Sequence, residues 1–251
     1  MSGSASHSPF GSGADANGQS VERSAAPITP GELPDRIRVI AATDRYAVID
    51  KPSGMLSVPG KGPEKADCAA ARVAAQFPRA SGPMVVHRLD METSGLLVFG
   101  LDEQAQRDLS SQFERRVVEK SYTALVAGTL PPGWVGPDPF DRDQGELSLP
   151  MRGDLERRPL QVIDPVNGRE AVTRWRILAR EVDRLRVKLD PLTGRTHQLR
   201  VHAASGLGHP ILGDELYGGP EAPRLMLHAA SLSFLEPGTG RRVEFVSTPP
   251  F

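Results

Sequence analysis

From Ala171 to Leu189 the chain alternates apolar and basic residues with a period of two, and that pattern leaves few choices of fold. Thr173, Trp175 and Ile177 fall on one face of an extended run, Arg174 and Arg176 on the other. After the link Arg180-Glu181-Val182-Asp183, Leu185, Val187 and Leu189 alternate with Arg184, Arg186 and Lys188. Successive side chains of a strand point to opposite faces, and a link this short suits a hairpin. The expectation is an antiparallel pair with its apolar face inward and its basic face outward.

Other stretches extend the pattern. Ile37–Ile40 and Tyr46–Ile49 are β-type runs on either side of Thr43-Asp44-Arg45, a hairpin signal. Leu96–Phe99 reads as a buried strand, Lys120–Gly128 as β-like, and Leu225–Ala229 and Val243–Val246 as further apolar or strand-like runs. Asp67–Phe77 is Ala-rich and reads as a helix. Asp102–Arg115 places Ala105, Leu109 and Phe113 on one helical stripe, with Asp102 or Glu103 suited to its positive N-terminus. Thr196 is expected to cap a helix running to about Ser205. Few strands alternate with long helices, so the expected class is α+β, with a large, mainly antiparallel sheet.

A chain of 251 residues is long enough for a sizeable core. Residues 1–33 are rich in Ser, Gly, Ala and Pro, with Phe10 as the one aromatic and Arg23 as the one basic residue. Too little apolar surface is available there to offset ordering, so a disordered tail is expected before a catalytic domain over 34–251. A single cysteine, Cys68, excludes an intramolecular disulfide and a multi-cysteine zinc site. No run of eighteen apolar residues and no secretory leader are seen, so a cytoplasmic protein without a membrane span is expected. The net charge of −1 does not mark a nucleic-acid binder. Locally, however, Arg157–His202 holds eleven Lys and Arg against five Asp and Glu. That asymmetry points to a polyanion-binding face built on the hairpin.

No GxGxxG, HExxH or GxSxG sequence is present. Gly60-Lys61 fails as a phosphate loop, because Gly62 stands where Ser or Thr is needed. His87-Arg88-Leu89-Asp90 runs into Thr93-Ser94-Gly95 and the Leu96 strand. A carboxylate there is held by the fold, and an Asp before such a turn also commonly shapes it. Thr193-Gly194-Arg195-Thr196-His197-Gln198-Leu199-Arg200-Val201-His202 offers arginines suited to phosphate or carboxylate. His197 and His202 are five apart and do not share a helical face, so no metal site is expected. Gly208-His209-Pro210-Ile211-Leu212-Gly213-Asp214 follows as a tight loop.

These stretches, with Lys51-Pro52-Ser53-Gly54, Lys120-x-Tyr122-x-Ala124 and Leu227-His228-Ala229, resemble the RluA family of RNA pseudouridine synthases in order and spacing from about Ile40 onward. The resemblance implies isomerisation of a uridine in RNA to pseudouridine, without cofactor or metal. It implies Asp90 as the catalytic carboxylate, Tyr122 as the active-site tyrosine, Arg195 as the arginine pairing with Asp90, and Arg88 as the residue displacing the target base. An arginine about 4 Å from a carboxylate attracts it by roughly 4 kcal/mol at an effective dielectric near 20. Flipping a base costs a few kcal/mol, and stacking on an aromatic such as Tyr122 returns about 1–3 kcal/mol. RNA contacts are expected from Arg88, Arg174, Arg176, Arg186, Lys188 and Arg200.

Residues 1–33 are too short and polar for the S4 domain of larger family members. Arg157-Arg158-Pro159 and Gly168-Arg169-x-Ala171-x-Thr173 are similar to the member without that domain that modifies both ribosomal and transfer RNA. The expected partner is an rRNA or tRNA stem-loop, read by shape and splayed loop bases, and the expected state is a monomer. One rival is a non-catalytic RNA-binding protein on the same fold; it predicts changes at Asp90, Tyr122 or Arg195, and all three are present. A glycoside hydrolase would need a second carboxylate across the cleft, with Glu92 the nearest in sequence.

Overall fold

The computed structural model describes residues 36–129 and 139–251. The tail expected over 1–33 and nearly all of the proline-rich loop Pro131–Pro139 lie outside those residues. The strands are β1 (Arg38–Ala42), β2 (Tyr46–Lys51), β3 (Ser94–Gly100), β4 (Glu119–Ala127), β5 (Gln144–Ser148), β6 (Met151–Gly153), β7 (Gln161–Ile163), β8 (Val172–Arg180), β9 (Arg184–Pro191), β10 (Leu227–Leu235) and β11 (Arg242–Val246). The helices are α1 (Ala69–Gln76), α2 (Glu103–Glu114) and the single turn α3 (Gln198–Val201), which runs into a π-helical turn over His202–Gly206.

Among the described residues nine strands form one sheet in the order β1-β2-β3-β10-β4-β9-β8-β5, with β11 also paired to β10; β6 and β7 pair separately. Only β3 and β10 run parallel; the other pairings are antiparallel. The fold is therefore α+β with a mixed, mainly antiparallel sheet. The β8–β9 hairpin forms as its alternation requires, with Trp175 opposite Leu189 and Arg176 opposite Lys188. Trp175, Val187 and Leu189 are buried against Leu199, Ala203 and Leu207 of the α3 segment.

Every residue of β3 is buried because both of its faces are covered. Leu97 and Phe99 pack with Val73 of α1, whereas Leu96 and Val98 pack with Leu109 of α2. An unbroken apolar run is the sequence consequence of such two-sided burial. Each buried leucine there contributes about 1.5–3 kcal/mol. The α2 N-terminus forms as expected, with the Asp102 carboxylate accepting from the Ala105 N–H at 2.9 Å, a cap worth about 1 kcal/mol.

One expectation differs from the structure, and three short strands had no expectation. Thr196 is not the cap: α3 begins at Gln198 after His197, which adopts a left-handed conformation at φ 53°, while the helical turns continue to Gly206, about as far as expected. The His197 side chain is turned to other work, described below. The strands β5, β6 and β7 carry no strong sequence signal, being short and only partly apolar, and they form because tertiary partners supply their hydrogen bonds.

The central position of β10 decides where chemistry is possible. Ala229 on β10 lies opposite Gly95 of β3 and also opposite Tyr122 of β4. The loop that carries Asp90 is thereby brought to within two strand spacings of Tyr122, each about 4.8 Å. Gly95, at φ 110°, is required at this crossing: a Cβ there would run into the backbone of Ala229.

Candidate active site

The loop before β3 is fastened from below by the Lys51–Ser57 segment. Lys51 is fully buried, and its ammonium donates to the carbonyls of Pro52, Met55 and Met91 at 3.0, 2.7 and 2.9 Å. Burial lowers its pKa to about 8. Ser53 Oγ donates to the Glu92 carbonyl at 2.6 Å, and Ser57 Oγ both donates to the Leu89 carbonyl and accepts from the Leu89 N–H. The Thr93 N–H closes the turn on the Asp90 carbonyl at 3.1 Å. Asp90 thus shapes its turn through its backbone, and its carboxylate is left to face a groove.

That groove has a volume of about 1210 Å³ and runs along Arg88, Asp90, Tyr122, His197 and Arg200. His197 Nε2 lies 4.0 Å from Asp90 Oδ1. On its other side His197 Nδ1 is 2.8 Å from the Tyr217 hydroxyl, which accepts the Gln161 N–H at 3.0 Å. One hydrogen bridges the Tyr217 hydroxyl and His197 Nδ1, in the direction that the imidazole tautomer sets. His197 is held neutral chiefly by burial, which lowers its pKa against the opposing pull of Asp90. Tyr122 is likewise held neutral: burial, then the charge on Asp90, raises its phenol above the ordinary range.

Arg200 sits beneath this group. It makes a bidentate pair with Asp214, at 2.8 Å from Nε and 2.6 Å from Nη2, and the two side chains are 5 % and 0 % exposed. Its guanidinium also stands over the Tyr217 ring at 5.2 Å. Asp214 in turn accepts the N–H groups of Leu216 and Tyr217. The pKa of Arg200 is raised, against its burial, by the hydrogen bonds and charge of Asp214 and then by Asp90.

Several site expectations move accordingly. Arg195 is not brought to Asp90: no ion pair joins them, and Arg195 Nε donates instead to the Glu170 carbonyl at 2.8 Å. Arg195 lies in the turn before α3, where its N–H bonds Gln198 Oε1 and its side chain is turned to Glu170, whereas His197, left-handed at the helix start, is turned towards Asp90. Arg200 is not available as an RNA contact, because it is buried and its guanidinium is committed to Asp214. Arg88 is exposed in the groove. Arg174 and Lys188 also line it, whereas Arg176 and Arg186 do not.

The remaining residues of the segment are structural. Gln198 bonds the Val172 carbonyl and Thr173 Oγ1 through Nε2, and its Oε1 accepts from Thr193 and from the Arg195 N–H. His202 lies between Thr173 Oγ1 and the Leu149 carbonyl. The sequence drew attention to the segment but did not divide these labours. Tyr217 and Ser57 gave no local signal of a role, as each acts through a partner remote in sequence, and Lys51 stood in a motif that had no role assigned to it.

Residues 45–205 match the sequence model of the RNA pseudouridylate synthases. The chain belongs to the RluA family of RNA pseudouridine synthases. It is 44% identical over 218 residues to the dual-specificity RNA pseudouridine synthase RluA of Haemophilus influenzae, covering 85% of this chain and 93% of that one. To the protein of the same name from Escherichia coli K12 it is 40% identical over the same shares. Among solved structures, human RNA pseudouridylate synthase domain containing 1 is 28% identical with a TM-score of 0.66, covering 89% of this chain and 87% of that one. Human RNA pseudouridylate synthase domain containing 4, at 24% identity and the same TM-score, shares the fold. The chain is thus an RNA-modifying isomerase of this family, and the non-catalytic reading falls away. Among the described residues no helix is long and apolar enough to cross a membrane.

Proposed function

We propose that this pseudouridine synthase acts on a uridine in a stem-loop of ribosomal RNA, transfer RNA or both, with Asp90 as the nucleophile and the target base flipped from its stack. The dual-specificity name of its relatives supports the choice of RNA. The observation that carries the catalytic assignment is the Asp90 carboxylate facing the groove, with the His197 Nε2 at 4.0 Å and Tyr122 and Arg200 lining the same wall.

Arg88, exposed in the groove, displaces the base and takes its place in the stack. The N1–C1′ bond then breaks with its electron pair moving to uracil N1. The carboxylate serves either of two routes: it adds to C1′, or it takes a sugar proton and so opens the way through a glycal. In both, the uracil turns, C5 bonds to C1′, and Asp90 is released in its starting form. The C5 proton is lost and N1 gains one, so the step is an isomerisation. Tyr122 stacks on the turned base, and its phenol oxygen takes the C5 proton while its own hydrogen passes to the Asp90 carboxylate and then to solvent, so that the phenol ends neutral.

Replacing Asp90 by Asn keeps the shape of the site and removes the nucleophile. Pseudouridine formation should be abolished while RNA affinity stays within about twofold; retained turnover would overturn the assignment. Mapping pseudouridines across cellular RNA with and without the protein names the target base.

A further inference from the structure

Arg116, Arg169 and Arg195 come from three distant segments and meet along the same groove as Asp90. Arg116 follows the end of α2. Arg169 is fixed by a backbone bridge to Met151, and Arg195 lies in the turn after β9. The three are close enough that, after burial, the charges of Arg169 and Arg116 are the main influences lowering the pKa of Arg195. Like charges so close must be offset. Glu170 is the one carboxylate bonded to this cluster among the described residues, 2.9 Å from Arg116. Arg195 takes only the Glu170 backbone carbonyl.

The backbone adds a second observation. Arg116 has φ 59°, and the Val117 N–H closes the helix end on the Gln112 carbonyl at 2.9 Å. That left-handed position normally takes glycine. An arginine there carries backbone strain, and its exposed side chain repays none of it through burial.

We infer that Arg116, Arg169 and Arg195 form a clamp for the phosphodiester backbone of the RNA strand flanking the target uridine. Excess positive charge held at a groove mouth attracts a polyanion and releases its counterions. Guanidinium groups also suit phosphate oxygens in a bidentate manner. The inference rests on the reading that the groove takes RNA.

The test measures binding of unmodified bulk tRNA and of ribosomal RNA across a salt series, with pseudouridine formation followed in parallel. The double variant Arg116→Gln and Arg169→Gln should bind on the order of tenfold more weakly, with the slope of log K against log salt reduced by about 2. At subsaturating RNA its pseudouridine formation should fall in step with the lost binding. A charge-matched double variant outside the groove, Arg107→Gln and Arg241→Gln, should change neither. Equal effects from the two doubles, or no effect from either, would overturn the clamp. If the unaltered protein binds RNA without forming pseudouridine, the functional reading fails and the slope alone decides the clamp. If it binds no RNA, and an acidic peptide titrates the cluster instead, both fail.

Discussion

Arginines on the β8–β9 hairpin and those at the groove mouth look alike in sequence but differ in what surrounds them. On the hairpin, Arg174 is paired with Glu146 at 2.9 Å, Arg184 with Glu181 at 2.6 Å, Arg186 with Glu181 at 3.4 Å, and Lys188 with Asp190 at 3.2 Å. At the groove mouth, among the described residues, the Glu170 carboxylate pairs with Arg116 alone of the three arginines, and Arg195 feels only its charge. A count of charges along the chain favours the hairpin as the polyanion face; pairing in space favours the groove. Counterions already supplied by the protein leave little for RNA to release. Deeper in the groove, Arg200 shows a third arrangement, a cation fully committed to a buried carboxylate.

The sharpest way to break this contrast is to remove one carboxylate from each place. Asp214→Asn should destabilise the fold by about 3–5 kcal/mol, because it strands Arg200 in a buried site. Glu170→Gln should cost at most about 1 kcal/mol, as its pair with Arg116 is exposed on both sides. Chemical denaturation of the two variants checks this, and equal losses would erase the distinction.

Next in size, Tyr122→Phe should lower kcat on the order of a hundredfold while leaving RNA affinity nearly unchanged, the reverse of the split expected at the groove mouth. Equal losses in turnover and affinity, measured by single-turnover assay and filter binding, would reduce Tyr122 to a stacking platform.

A smaller effect concerns the wall behind Asp90. His87 accepts the Val98 N–H at 3.2 Å and stacks on Phe113, with its pKa lowered to about 3, first by burial and then by Lys120. The unfolded chain binds a proton near the ordinary value of 6.5 while the folded chain does not. Stability should therefore fall as pH drops from 6.5 towards 3. His87→Gln keeps an acceptor without titrating, so it should flatten the decline in Tm over that window; an unchanged profile would contradict the burial of a neutral imidazole. The smallest expected change is in binding: Glu170→Gln should tighten RNA affinity a few-fold at low salt, read by filter binding.

Much of the fold was legible because it rests on periodicity. The alternation of Thr173–Ile177 with Leu185–Leu189, the unbroken run Leu96–Phe99 and the stripe Ala105–Leu109–Phe113 each specify an element and its buried face. Asp90, Tyr122 and Arg88 were singled out by the motifs around them, and all three line one groove. The partner of Asp90 was not, since Arg195, His197 and Arg200 are all basic and nearly adjacent. Sequence spacing distinguishes them only once the helix is known to start at Gln198.

The sequence by itself determined most of the strands and the two longer helices, because those follow from local periodicity, and it singled out Asp90 through a motif that resembles the family. Tertiary structure decided the rest. Inserting β10 between β3 and β4 brought Tyr122 to Asp90, Asp214 claimed Arg200, and Tyr217 aligned His197. It also decided which arginines stay free to meet RNA, because charge neutralisation depends on distance in space and not along the chain.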